Sequence, residues 1–157
     1  MVGRPKAVPI SQTQSQICDS ISSWRIFDAI DGNGRSRISV WIDREKIGKR
    51  EIGQLNQKID MLARSGSELG PQLLAGPVKS RKNKKAVPHI YKLRLNGDRA
   101  LRPFLCKGPI DMDQEFTLLL GAIEINSVLD TDPGDAEAIR LGIIADENTR
   151  KPHERYK

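Results

Sequence analysis

The chain has little of what most binding chemistries need. Its 157 residues include only two cysteines and two histidines. Cys18 and Cys106 are too few for a disulfide framework and read as free thiols of a reducing, cytoplasmic compartment. With His89 and His153 they offer no zinc-ligand spacing, so neither a metal nor another cofactor is expected. Aromatic residues make up 4% of the chain, which suits a modest core with loose ends. No apolar run approaches the roughly 18 residues that would span a bilayer, which excludes a membrane helix. The N-terminus lacks the apolar stretch of a signal peptide. Internal repeats and long low-complexity segments are absent too. Gly32-Asn33-Gly34 is too short for a nucleotide-binding loop.

What is abundant is positive charge in one place. The formal net charge is +6. Ten bases fall between Lys79 and Lys107 (Lys79, Arg81, Lys82, Lys84, Lys85, Lys92, Arg94, Arg99, Arg102 and Lys107), against the single acid Asp98. Tyr91, Leu93, Leu95, Leu101, Phe104 and Leu105 interleave with them. A disordered basic tail has no use for such positions, so the pattern predicts strands with one buried face and a rigid basic surface for a polyanion. From Asp111 to Glu147 the balance inverts, with ten acids and one base, Arg140. The two halves either pair in the fold, or the acidic face discourages binding in the wrong orientation.

The organisation reads as a polar arm over 1–22, a domain over 23–146 and a basic tail over 147–157. A short turn is expected near Ile17–Ile21. Trp24 to Ile30 suggests a first strand, and Asp31-Gly32-Asn33-Gly34 a turn. Ile38, Val40 and Ile42 alternate with polar residues and Trp41, which favours a second strand and a hairpin; the competing reading is the first turn of the next helix. Ile52, Leu55, Ile59 and Leu62 give a helical stripe that Gly66 stops. Glu68 to Leu74 reads as a short helix or turn. Strands follow over Ile90–Leu95, Ala100–Cys106 and Glu115–Leu120, with Pro103 demanding a bulge or a free edge. Asp132 and Pro133 start a last helix, with Ala136, Ile139, Ile143 and Ile144 as its buried stripe. The fold class is therefore α+β: a small antiparallel sheet of four or five strands, packed on one side by helices.

Alternate strand residues share a face. Lys92 and Arg94 therefore stand together, about 7 Å apart along the strand. Arg102, on the next strand, joins them if the register cooperates. Three converging cations would hold a phosphodiester and stabilise charge developing on it. Arginine grips two oxygens at once, while lysine acts as a point charge. The bland alternative is a solvated outer face with ordinary surface pairs. His89 reads as a general base or a surface residue. Trp24 and Trp41 read as core or interface anchors, and Asp132 as a helix cap.

Tyr91-Lys92-Leu93-Arg94-Leu95, a tight turn and Leu101-Arg102-Pro103-Phe104-Leu105 resemble the centre of the RelE/ParE toxin superfamily, most closely its HigB-like, phage-type branch. The order of elements between Trp24 and Ile144 is similar as well. The resemblance implies a ribosome-dependent, metal-independent mRNA endonuclease with a cognate antitoxin. It implies that Lys92 and Arg94 orient the RNA backbone and that Arg102 holds the scissile phosphate. Arg81, Lys82, Lys84, Lys85 and Arg99 would add phosphate contacts. His153 and Tyr156 are the loose candidates for the acid and base. The chain departs from that pattern after its last central strand, where Gly121-Ala122-Ile123-Glu124 replaces a basic cluster. Degenerate members of the fold that only bind keep a second reading open. In it the protein is a phage or prophage inhibitor or adaptor that blocks a nucleic-acid-processing complex. A homodimer is compatible with either reading.

Overall fold

The computed structural model describes residues 23–157; the arm over 1–22, with its turn near Ile17–Ile21, and Cys18 lie outside the described residues. The fold is α+β. Among the described residues, no helix is long and apolar enough to cross a membrane.

Strand β1 (Arg25–Ala29) opens the domain. In the turn that follows, the Asp31 side chain accepts hydrogen bonds from the Asn33 and Arg35 backbone N–H groups. Those bonds and the nearby arginines hold its carboxyl below the usual range, and the Arg35 backbone N–H contributes most. The chain then enters a helix rather than the strand of a hairpin. Helix α1 (Arg37–Arg44) is capped by Ser36, whose hydroxyl accepts from the Ser39 N–H. Ile38, Trp41 and Ile42 are its buried residues. They keep a spacing of three and four, whereas Ile38, Val40 and Ile42 alternate, and the serine cap decides between the two.

Helix α2 (Lys49–Ser65) buries Ile52, Leu55, Ile59 and Leu62. Gly66, at φ +56°, ends it, and a Cβ there would lie 2.1 Å from the Trp24 indole nitrogen. Glycine thus answers both the left-handed backbone and the close approach of the ring. A 3-10 turn over Gly66–Glu68 follows.

The remaining strands are β2 (Leu74–Ala75), β3 (Tyr91–Leu93), β4 (Leu95–Asn96), β5 (Ala100–Leu101), β6 (Phe104–Lys107), β7 (Glu115–Leu120), β8 (Ile123–Ile125), β9 (Val128–Leu129) and β10 (Arg150–Pro152). They form two sheets. One has six strands in the order β10-β1-β7-β6-β3-β2, and the other four in the order β4-β5-β8-β9. β1 and β7 pair in parallel; every other pairing is antiparallel. The second sheet arises where three chain segments bend out of the first: at Arg94, at Arg102-Pro103 and at Gly121-Ala122. Pro103 has no N–H for a ladder, and the register slips just beyond it, between Phe104 and Leu105.

Both faces of the larger sheet are covered, which differs from helices on one side only. Helices α1 and α2 pack over Leu93, Leu105, Phe116 and Leu118. Helix α3 (Pro133–Ala145), capped by Asp132, packs over Phe104, Cys106 and Leu119 on the other face. Central strands buried on both faces lose the alternation that would reveal a second layer. Of the stripe read for α3, Ala136 and Ile143 are buried, while Ile144 is half exposed. Arg140 takes a buried position instead, with its guanidinium paired to Glu137 at 2.7 Å.

The final segment, read as a basic tail, extends the sheet. β10 pairs with β1 at one edge. Beyond it, Tyr156 sinks into the α1–α2 core. Asn56 of α2 grips the Tyr156 backbone from both sides, donating to its carbonyl and accepting from its N–H, each at 3.0 Å.

Candidate phosphate-binding cleft

The basic run at 79–85 is a pinned turn. Lys79 and Ala86 bridge, and the Ser80 N–H donates to the Lys85 carbonyl. The Ser80 hydroxyl accepts from the Lys82 N–H, and the Asn83 side chain from the Lys85 N–H. Buried Val78 and Ile90 anchor its base: Val78 accepts from Val87 and donates to Ile90 through backbone bonds of 2.8 Å each. A lysine-rich sequence keeps one shape here because Ser and Asn side chains satisfy its backbone groups.

β3 supplies the floor. Leu93 is fully buried against the helices, so Lys92 emerges on the opposite face, level with Phe104 of β6. The far wall is the β8–β9 hairpin, closed by Asn126-Ser127 with φ of 52° and 65°. Two successive left-handed residues make a turn whose twist suits a two-residue hairpin. Between these walls lies a cleft of about 620 Å³. Lys79, Arg81, Lys84, Lys92 and Arg94 line it, with Glu124 as the one carboxylate. The ten ion pairs of the described residues involve none of those five cations. Partial burial lowers the pKa of Lys92; Arg94 and Arg102 push the same way, and Glu124 opposes them. A cation that is costly to desolvate and crowded by like charge gains most from an arriving anion.

Four of the residues singled out in the sequence thus meet in one hollow: Arg81, Lys84, Lys92 and Arg94. Lys82 and Lys85 sit on the same turn and are exposed. Arg99 is elsewhere, bonded to the Glu45 backbone carbonyl at 2.7 Å beside α1.

Arg102 is not free to meet a phosphate. It is 8% exposed. Its guanidinium donates to Glu124 at 2.8 Å, to the backbone carbonyls of Leu95 and Leu101, and to the Asn96 side chain. A guanidinium so occupied fastens the bend where the larger sheet passes into the smaller. His89 is exposed at the start of β3.

His153 and Tyr156 lie away from the cleft. They belong to the β10–β1 edge, where β1 lies three strand spacings from β3, about 14 Å, and β10 one further. They converge on Asp28, which is 1% exposed. His153 Nδ1 is 2.7 Å from one carboxylate oxygen, and the Tyr156 hydroxyl donates to the other at 2.6 Å. Ser36 donates to that second oxygen as well. Burial first, then the Asp28 charge and hydrogen bond, raise the Tyr156 pKa well above its usual value. The sequence reading missed Asp28, Ser36 and Asn56, and named Lys79 only within the basic run. A lone acid within Ile26-Phe27-Asp28-Ala29-Ile30 was the available sign of a buried carboxylate that needs partners.

Among the described residues no group of three or more His, Cys, Asp or Glu is placed to hold a metal ion. Comparison of the chain with protein-family models, with curated proteins and with solved structures finds no match.

Proposed function

We propose that the protein binds the sugar-phosphate backbone of single-stranded RNA in the Lys92–Arg94 cleft. It would act in the cytoplasm as a toxin-like RNA-binding protein of the kind that the RelE/HigB resemblance implies. The observation that carries this reading is the convergence of five cations and one carboxylate on a single hollow. Counterion release from phosphates supplies the affinity of such a surface. Val78, Val128 and Leu129 lie beside the cations, and apolar surface next to a phosphate grip suits a splayed-out base better than a stacked duplex. On this reading the RNA is mRNA on the ribosome, and a cognate antitoxin would cover the cleft.

Binding without cleavage is the form that the geometry favours. Arg102 is bonded to Glu124, and His153 and Tyr156 face Asp28. General acid–base help needs groups within hydrogen-bond reach of the reacting atoms. One observation speaks for the endonuclease: the lowered pKa of Lys92 makes it the cleft group best suited to exchange a proton.

A titration of labelled single-stranded RNA, followed by fluorescence anisotropy, tests the proposal. Lys92→Ala with Arg94→Ala should weaken binding at least about tenfold through two lost charge-assisted contacts. Unchanged affinity would remove the cleft from the account. Strand scission on translating ribosomes that Lys92→Ala abolishes would make the endonuclease reading the correct one.

A further inference from the structure

We infer that the cleft also reads a base, and that Glu124 selects guanine at the nucleotide whose phosphate Lys92 and Arg94 hold. This rests on the phosphate-binding reading above. The cleft is chemically polar. Its cations come from the 79–85 turn, from β3 and from the bend just after it, whereas Glu124, Ser127 and Val128 come from the β8–β9 hairpin. A phosphate would be repelled by Glu124, so a nucleotide enters with its phosphate toward the turn and its base toward the hairpin.

Glu124 is held ready for that role. One of its oxygens accepts from Arg102 at 2.8 Å, which fixes the carboxylate, while the side chain stays 22% exposed in the cleft wall. Its other oxygen carries no hydrogen bond among the described residues, and neither does the Ser127 hydroxyl. Arg102 thereby becomes a positioning residue. Guanine alone presents two adjacent N–H donors, N1 and N2, on its pairing edge. Adenine and cytosine offer an amino group beside an acceptor nitrogen, and uracil one N–H between two carbonyls that a carboxylate repels. Ile125 and Val128 pair across the hairpin and are 62% and 53% exposed. Within the cleft itself, Val128 and Leu129, the latter paired across the hairpin with Glu124, supply apolar surface for the base plane.

The test uses the intact protein and short oligouridine strands with a single central guanine, adenine, cytosine or hypoxanthine. The guanine strand should bind roughly tenfold more tightly than plain oligouridine. Hypoxanthine, which lacks only the 2-amino group, should lose most of that margin. Glu124→Gln keeps an acceptor for Arg102, so it should bring the affinities for the guanine strand and for plain oligouridine level. Equal affinity of the wild-type protein for all the strands would overturn base selection and leave the phosphate grip standing. Absence of binding to every strand would overturn both. The hypoxanthine comparison needs no variant, so it decides the matter even if Glu124→Gln unfolds.

Discussion

Replacing Tyr156 by Phe should cost more than removal of a surface hydroxyl. The ring stays in the α1–α2 core, where it is 7% exposed, and only the bond to Asp28 at 2.6 Å disappears. A hydrogen bond to a charged partner contributes about 1.5–3 kcal/mol. Ser36 and His153 still face the carboxylate, so it is not left alone. For a domain of this size, 1 kcal/mol moves the melting temperature by about 4 °C, so a drop of about 6–12 °C is expected. Tyr156→Ala also removes the ring and should cost a further 3–5 kcal/mol or so. Alkali gives a second readout. The folded-state pKa of Tyr156 is raised, so its contribution is complete below pH 10. It falls as pH rises further, because the unfolded chain gives up the proton first. The slope is about 1.4 kcal/mol per pH unit for one group. Cys106, pushed up to about 12 by burial, acts with the same sign from pH 9. Tyr156→Phe should therefore flatten the alkaline decline without abolishing it. The assay is thermal and urea unfolding followed by circular dichroism. A variant within about 0.5 kcal/mol of wild type at neutral pH would refute the idea that the terminal segment is a working part of the core.

Gly121→Ala should unfold the domain or shift Trp41, since a Cβ at position 121 would lie 1.8 Å from the indole; an unchanged melting curve and Trp fluorescence would contradict that packing. Arg102→Ala should lose about 3–5 kcal/mol by stranding Glu124 and three backbone or amide acceptors, with the phosphate grip little changed and the guanine preference lost; a stable variant with weakened oligouridine binding would return Arg102 to the phosphate. The lowered pKa of Lys92 predicts that RNA affinity declines with rising pH before ordinary lysines titrate, and Lys92→Arg should move that decline to higher pH; identical profiles would exclude Lys92 from the contact.

Much of this architecture was legible where one interaction dominated. The α2 stripe and its Gly66 stop, and the Asp132-Pro133 start of α3, depend on neighbours in sequence. Helix α1 was misread because in so short a run Ile38, Val40 and Ile42 alternate while Ile38, Trp41 and Ile42 keep helical spacing. In the cleft, Lys92 and Arg94 follow from strand alternation, and the turn at 79–85 from its run of lysines. The fate of Arg102 could not be read locally. It depends on Glu124, which pairs across from Ala100 through a sheet that exists only because three strands bend. His153 and Tyr156 answer to Asp28, more than a hundred residues away in the chain. Their character as tail or core is decided by that partner.

The salt dependence of RNA affinity tests the central claim most directly. For a single strand, log K falls with log salt by about 0.7 for each phosphate neutralised. With one phosphate held between Lys92 and Arg94, the double alanine variant should show a slope shallower by about 0.7. A slope equal to that of the wild-type protein would mean that RNA, if it binds at all, does not enter this cleft.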